Sequence, residues 1–164
     1  MSVDAERSKK ETRGAIENRA VIYRYIFEEL EEELGRERAV EVMRRAIYKR
    51  GVAHGQEKYL AAAQEGDFDA VGELFVGGSA AEGELFSPAV EHADRHGVDL
   101  SMKGCPLVDA WKAMGLSDEE VDLMCRIAAA VDEGTFDGAG LRVTFKERLG
   151  EPGGHACLLE IRRP

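Results

Sequence analysis

GCPLVDAWKAMGLSDEEVDLMCRIAAAVD, residues 104–132, carries two of the three cysteines, the only tryptophan and two clear helix boundaries. The residue before a proline is pushed out of the α region, so Cys105 ends an extended segment and Pro106 can open a helix. Leu107, Val108, Trp111 and Met114 then recur at three and four, the spacing of one helix face, and Gly115 suits the left-handed position just past its end. Ser117 followed by Glu120 is a capping box, and Asp118 and Glu119 add negative charge where the helix dipole favours it. A second helix therefore starts at Asp118. Val121, Met124, Cys125, Ala128, Val131 and Asp132 fall on its inner face. Cys105 thus stands at a strand-to-helix corner, while Cys125 points inward from the helix that follows.

On the N-terminal side, residues 1–11 are charged and aperiodic and read as a flexible N-terminus. From residue 12 to residue 34 the apolar side chains Ile16, Ala20, Tyr23, Phe27, Leu30 and Leu34 keep helical spacing, Ile22 and Ile26 broaden the stripe, and Gly35 closes it. The acidic run from Glu28 to Glu33 is a solvated face. A second helical pattern starts near Glu37 and passes through Val40, Met43, Ile47, His54 and Ala61 before Gly66-Asp67 stops it. It holds Gly51 and Gly55. Each interior glycine costs about 0.5–1 kcal/mol relative to alanine, so two of them four apart imply a close approach by another element or a ligand. His54 falls toward the inner side of this helix.

Phe68, Val71 and Leu74 support one short helix, and Gly77 to Gly83 reads as loop. The period then changes from 3.6 to 2: Val90 and His92 precede a turn at Asp94-Arg95-His96-Gly97, and Val98, Leu100 and Met102 alternate with Asp99, Ser101 and Lys103, giving a hairpin. After Asp132, residues 133–140 hold too many glycines for a helix. They lead into a strand through Leu141, Val143 and Phe145. Residues 150–154 turn the chain into a last strand, 155–162, on which Cys157, Leu159 and Ile161 share a face. The expected fold class is α+β: long N-terminal helices and a four-stranded antiparallel sheet covered by helices on one face, forming a single domain over residues 12–164.

Composition narrows the function. The chain has 164 residues, 44% of them hydrophobic and 33% charged, as expected of one globular domain able to bury a core without disulfides. With 32 acidic against 22 basic residues, the net charge of -10 opposes binding to a phosphate backbone, so no nucleic-acid partner is expected. There is no apolar leader at the start and no stretch near the roughly 20 apolar residues of a membrane span. The expectation is a cytoplasmic protein with no membrane partner and with three reduced thiols, since three widely spaced cysteines make a poor disulfide framework. The amphipathic first helix could pack within the chain or against a second copy, leaving a homo-oligomer open. Walker, Rossmann, HExxH and GxSxG patterns are absent. What the sequence does offer is Cys105, Cys125 and Cys157 converging from a strand end, a helix face and a strand face, with His54 in company. Packing thiols and functional thiols fit that pattern equally. Cys105 alone directly precedes a helix N-terminus, where free N–H groups and the dipole would lower its pKa.

The order CPLVDAWKAMGLSDEEVDLMCRIAAAVDEGTFDG, residues 105–138, followed by GGHACLLEIRR, residues 153–163, resembles the L-2-amino-thiazoline-4-carboxylic acid hydrolase family. The likeness lies in Cys-Pro opening a short helix with a Gly-Leu break, a second cysteine on the next helix with an acidic residue behind it, and a Gly-Gly-x-x-Cys strand ending in basic residues. On this resemblance Cys105, Cys125, Asp132 and Cys157 occupy motif positions. The family's carboxylate directly after the third cysteine is Leu158 here, and those close behind the second are replaced by Arg126-Ile127-Ala128-Ala129, which leaves Asp132 the nearest. The resemblance implies hydrolytic opening of a five-membered cyclic amidine toward a carbamoyl-cysteine. Cys105 would be nucleophile or oxyanion-site residue, His54 or Asp132 would handle the proton, Arg50 or Arg142 would hold the substrate carboxylate, and Trp111 would wall the pocket. Two other readings stand beside it: a tetrahedral zinc site of three thiolates and an imidazole, and a non-catalytic module that binds an apolar or sulfur-containing small molecule.

Overall fold

The computed structural model describes residues 3–164. Seven α-helices and four strands follow in the order α1 (Val3–Leu34), α2 (Arg36–Lys58), α3 (Leu60–Glu65), α4 (Phe68–Gly77), β1 (Pro88–Asp94), β2 (Gly97–Met102), α5 (Pro106–Ala113), α6 (Asp118–Ala128), α7 (Ala130–Gly138), β3 (Arg142–Glu147) and β4 (Cys157–Arg162), with a short 3-10 turn at Ala80–Gly83. The strands form one antiparallel sheet in the order β1-β2-β4-β3. This is the α+β architecture of long N-terminal helices and a four-stranded sheet that the sequence implies.

The helix boundaries follow their local chemistry. Ser117 accepts from the Glu120 N–H at 3.3 Å while the Glu120 carboxylate accepts from the Ser117 N–H at 2.9 Å, so both halves of the capping box hold α6 in place. Gly115 takes φ 82°, as the break after α5 requires. Cys105 is extended (φ -154°) and Pro106 opens α5.

Helix α1 begins at Val3, ahead of residue 12 where the apolar period begins. Ion pairs do there what periodicity does further on: Arg7 to Glu11 at i,i+4, and Lys9 to Glu84 across the chain. Of the stretch 1–11, residues 1 and 2 lie outside the described residues. Ile22 and Ile26 do not broaden the buried stripe but stand 46% and 45% exposed. The second helical pattern breaks at Tyr59, where φ widens to -113° between α2 and α3 and the side chain is buried in the cluster that includes Phe136 of α7.

Residues 133–140 are the largest departure: most of them lie in helix α7. The glycines that argue against a helix in isolation are the condition for this one. A Cβ at Gly134 would lie 2.2 Å from the Tyr48 carbonyl oxygen and one at Gly138 2.4 Å from that of Val52; reciprocally, a Cβ at Gly51 would lie 2.1 Å from the Val131 oxygen and one at Gly55 1.8 Å from that of Thr135. Helices α2 and α7 therefore cross backbone to backbone, and no side chain larger than hydrogen fits at four positions on the seam. The close approach implied by Gly51 and Gly55 is made by this helix.

Two hydrophobic clusters flank the seam. One joins α1, α2, α5 and α6 around Phe27, Met43, Ile47, Trp111, Met124 and Ile127. The other presses Tyr59, Phe68, Val71 and Phe136 onto the sheet face bearing Val98, Leu100, Cys157, Leu159 and Ile161. Burial alternates along β3 and β4, with β4 buried at every second residue, whereas on β2 Ser101 is buried too, its hydroxyl donating to Glu91 at 2.5 Å.

Candidate functional site

Between the two clusters lies a cavity of about 310 Å³. Its walls come from every layer. Cys105 reaches it from the β2–α5 corner, Leu107, Val108 and Trp111 from α5, Cys125 and Ala128 from α6, Asp132 and Thr135 from α7, and His54 from α2. Phe145 and Cys157 close it from the sheet, and Phe75, Ser79 and Ala80 from α4 and the loop behind it. All three cysteines, His54, Asp132 and Trp111 thus meet around one space. The other two residues singled out as carboxylate holders do not: Arg50, exposed on α2, and Arg142, exposed on β3, lie outside the cavity lining. The arginines that do line it are Arg19 and Arg148. Neither stands in a sequence pattern that marks it; Arg19 is one of several charges along α1, and Arg148 follows β3 at the edge of a glycine-rich turn. Tyr59, Phe75 and Phe145 line it as well, and nothing in the sequence pattern sets them apart from core aromatics.

All three thiols are free, and burial pushes each of them up: Cys105 to about 11, Cys157 to about 12, and Cys125 in the same direction. The Cys105 result corrects the expectation drawn from its place before α5. The N–H groups of Leu107 and Val108 do pull its pKa down, but loss of water outweighs them. Cys157 accepts from the Leu149 N–H at 3.4 Å. At neutral pH these are thiols, and a reaction that uses one must first take its proton. Among the described residues, no group of three or more His, Cys, Asp and Glu side chains is placed to hold a metal ion.

Asp132 is the group with its protonation poised. It sits at the cavity wall with no hydrogen bond to its carboxylate among the described residues. Burial, with a smaller contribution from the Glu133 charge, pushes it up to about 7. Glu133 itself turns the other way, to Arg44 at 2.6 Å. The glycine seam explains why Asp132 is where it is: α7 can lie that close to α2 only without side chains between them, and Asp132 then lines the cavity, as His54 does from α2. His54 is held below the usual imidazole range by burial and by the neighbouring Arg50 charge, and its ring meets Tyr59 edge-on at 5.8 Å. Burial and the Asp132 charge push the Tyr59 phenol up to about 12. Trp111 is fully buried, with its Nε1–H donating to the Ala20 carbonyl at 2.9 Å, so it fixes α5 against α1 and offers the cavity only its ring.

The arrangement therefore offers one carboxyl able to gain or lose a proton near neutrality, a neutral imidazole on the same cavity, three protonated thiols, two guanidinium groups and otherwise mostly apolar walls. That set suits addition of water or a thiol to a polarised carbon in a site with little bulk water. No helix among the described residues is long and apolar enough to cross a membrane.

The family model described as L-2-amino-thiazoline-4-carboxylic acid hydrolase matches residues 13–160. Among solved structures, the chain is similar to trafficking protein particle complex subunit 3 from Naegleria fowleri, which was crystallised covalently bound to palmitic acid. The two are 12% identical, with a TM-score of 0.56 over 90% of this chain and 94% of that one, a likeness of fold alone. A search of curated proteins finds no match.

Proposed function

Since the chain belongs to the L-2-amino-thiazoline-4-carboxylic acid hydrolase family, we propose that it hydrolyses a small cyclic amidine of the 2-amino-thiazoline-4-carboxylate type in the cavity between its helices and its sheet, with Asp132 as the general acid–base group. Water adds to the ring carbon that lies between nitrogen and sulfur as Asp132 takes its proton. The proton of the new hydroxyl passes to the ring nitrogen, the carbon–sulfur bond breaks as the carbonyl forms, and the sulfur leaves with the proton returned by Asp132, so that one water is consumed and a carbamoyl-cysteine remains. A base with a pKa near the working pH is partly ionised and still able to give its proton back, the balance this reaction needs. The observation that carries the proposal is the unpartnered Asp132 carboxyl, poised near 7 on the wall that all three thiols share.

Asp132→Asn keeps the shape and removes the proton transfer. Ring opening of 2-amino-thiazoline-4-carboxylate by this variant should fall at least 100-fold, the usual range for a lost general base, with KM little changed. The wild-type kcat should climb with pH through about 7. Turnover within threefold of wild type in Asp132→Asn would remove Asp132 from the mechanism.

One observation favours a second reading, a carrier of an apolar ligand. Most of the wall is hydrocarbon or aromatic, and the Naegleria fowleri protein of similar fold holds palmitic acid covalently. Intact-mass measurement of the purified chain distinguishes the two: a stoichiometric acyl adduct, with no turnover of cyclic amidines, would favour the carrier.

A further inference from the structure

Arg148 lines the cavity and is held from behind, its Nη2 donating to Asp122 Oδ1 at 2.9 Å. Asp122 lies on α6, three residues before Cys125, so the anchor of the guanidinium and the thiol belong to one turn of one helix. The Nε of Arg148 is buried and has no hydrogen-bond partner among the described residues. Buried guanidinium N–H groups are rarely left without an acceptor, because nothing repays their loss of water. Arg24 Nη1 shares this condition, but it lies on α1 outside the cavity lining.

Cys125 is a thiol beside that cation: the Arg148 charge pulls its pKa down against the effect of burial. The Gly150 N–H also faces its sulfur. The backbone at Gly150 comes so close that a Cβ there would lie 2.3 Å from the Cys125 Cβ and 2.7 Å from its Sγ. A thiol and a guanidinium that both line the cavity thus lie together with the Gly150 N–H behind the sulfur, and the guanidinium keeps one buried N–H without an acceptor.

We infer that Cys125 and Arg148 form a receptor for a small carboxylate-bearing electrophile, with Arg148 taking the carboxylate and so holding the electrophilic carbon next to Cys125 rather than Cys105, where the water activated by Asp132 adds to it. This rests on the cavity being the substrate site and narrows what that site takes: the acid group of the substrate is the feature recognised, and Arg148 is the residue that determines it. The role foreseen for Arg50 or Arg142 passes to a residue that follows β3.

Paired alkylation tests this without any turnover. Iodoacetate and iodoacetamide differ in charge and little in size; with either one, the sulfur forms a bond to carbon, iodide leaves, and the thiol proton goes to the buffer. Labelling of the full chain is followed at each cysteine by peptide mass spectrometry, with the same chain in urea as the reference. In the folded protein, iodoacetate should modify Cys125 at least tenfold faster than Cys105 or Cys157. The iodoacetate-to-iodoacetamide rate ratio at Cys125 should exceed the urea value by at least tenfold. Arg148→Gln should return that ratio to the urea value, and Arg148→Lys should recover part of it. Prior labelling of Cys105 or Cys157, or a folded ratio equal to the unfolded one, overturns the inference, and the wild-type ratio decides alone if Arg148→Gln does not fold. Failure of the hydrolase reading shows elsewhere, as absent ring opening with the labelling pattern intact.

Discussion

Helix α7 is packed in opposite ways on its two sides. Toward α2 it presents Gly134 and Gly138, and the two backbones touch with nothing between them. Toward the cavity it presents Asp132 and Thr135, and there the layers stand apart around about 310 Å³ of space. The contrast shows how a fold can build a pocket without loosening its core. Removing side chains on one face lets the helix sit deep enough to serve as a wall on the other. Asp132 is then kept short of water by the same packing that holds it, so the seam contributes to its proton affinity. A seam that opened would admit water and return the carboxyl toward its ordinary range.

The seam is where the largest effect is expected. In Gly55→Ala, the new Cβ would fall 1.8 Å from the Thr135 carbonyl oxygen, a backbone atom that can yield only if α7 moves. Overpacking of this kind should cost about 3 kcal/mol or more, lowering Tm by roughly 10 °C in a chain of this size. An unchanged Tm would show that the helices do not touch as described. The same variant should make the cavity wetter, so the acid limb of any activity profile should move toward lower pH.

The cavity side should respond to pH rather than to bulk. Asp132 holds its proton more tightly when folded, at about 7 against an ordinary 3.8. The folded state therefore binds more protons between those values, and stability contributed by the protonated form is lost as pH rises through that window. Asp132→Asn cannot ionise and should be more stable than wild type above pH 7. At about 1.4 kcal/mol per pKa unit, discounted for the cavity's access to water, the gain is roughly 2–3 kcal/mol. Urea denaturation at pH 5 and pH 8 reads this directly; a difference between the two proteins that is the same at both pH values would mean that the carboxyl titrates normally.

The smallest effect separates the two behaviours from ordinary helix stability. Ser117 caps α6 from the surface, away from both seam and cavity. Ser117→Ala should cost about 1 kcal/mol at every pH and leave the cysteine labelling pattern unchanged. Should it shift either, α6 would be coupled to the site through more than the position of Cys125.

The local elements were readable wherever one residue type has one structural use. Pro106, Gly115 and the Ser117–Glu120 box place α5 and α6, and strict alternation places β2 and β4, because these signals act within a few residues and need no partner. The gathering of Cys105, Cys125 and Cys157 was legible as well, since each falls on an inward face of its own element. Two things escaped that kind of reading. Residues 133–140 form a helix in spite of their glycines, because the energy that makes them helical comes from contact with Gly51 and Gly55 about 80 positions earlier. The cavity arginines escaped too: a charged side chain carries no periodic mark, and only the folded chain shows that Arg148 is half-buried beside a thiol while Arg50 and Arg142 face solvent. The amino-acid order by itself determined the elements and their inward faces, through steric and hydrogen-bonding rules that operate locally. The depth at which α7 lies, and with it the proton affinity of Asp132 and the choice of arginines that line the cavity, was decided by the tertiary structure, because desolvation and backbone contact exist only once distant segments are packed together.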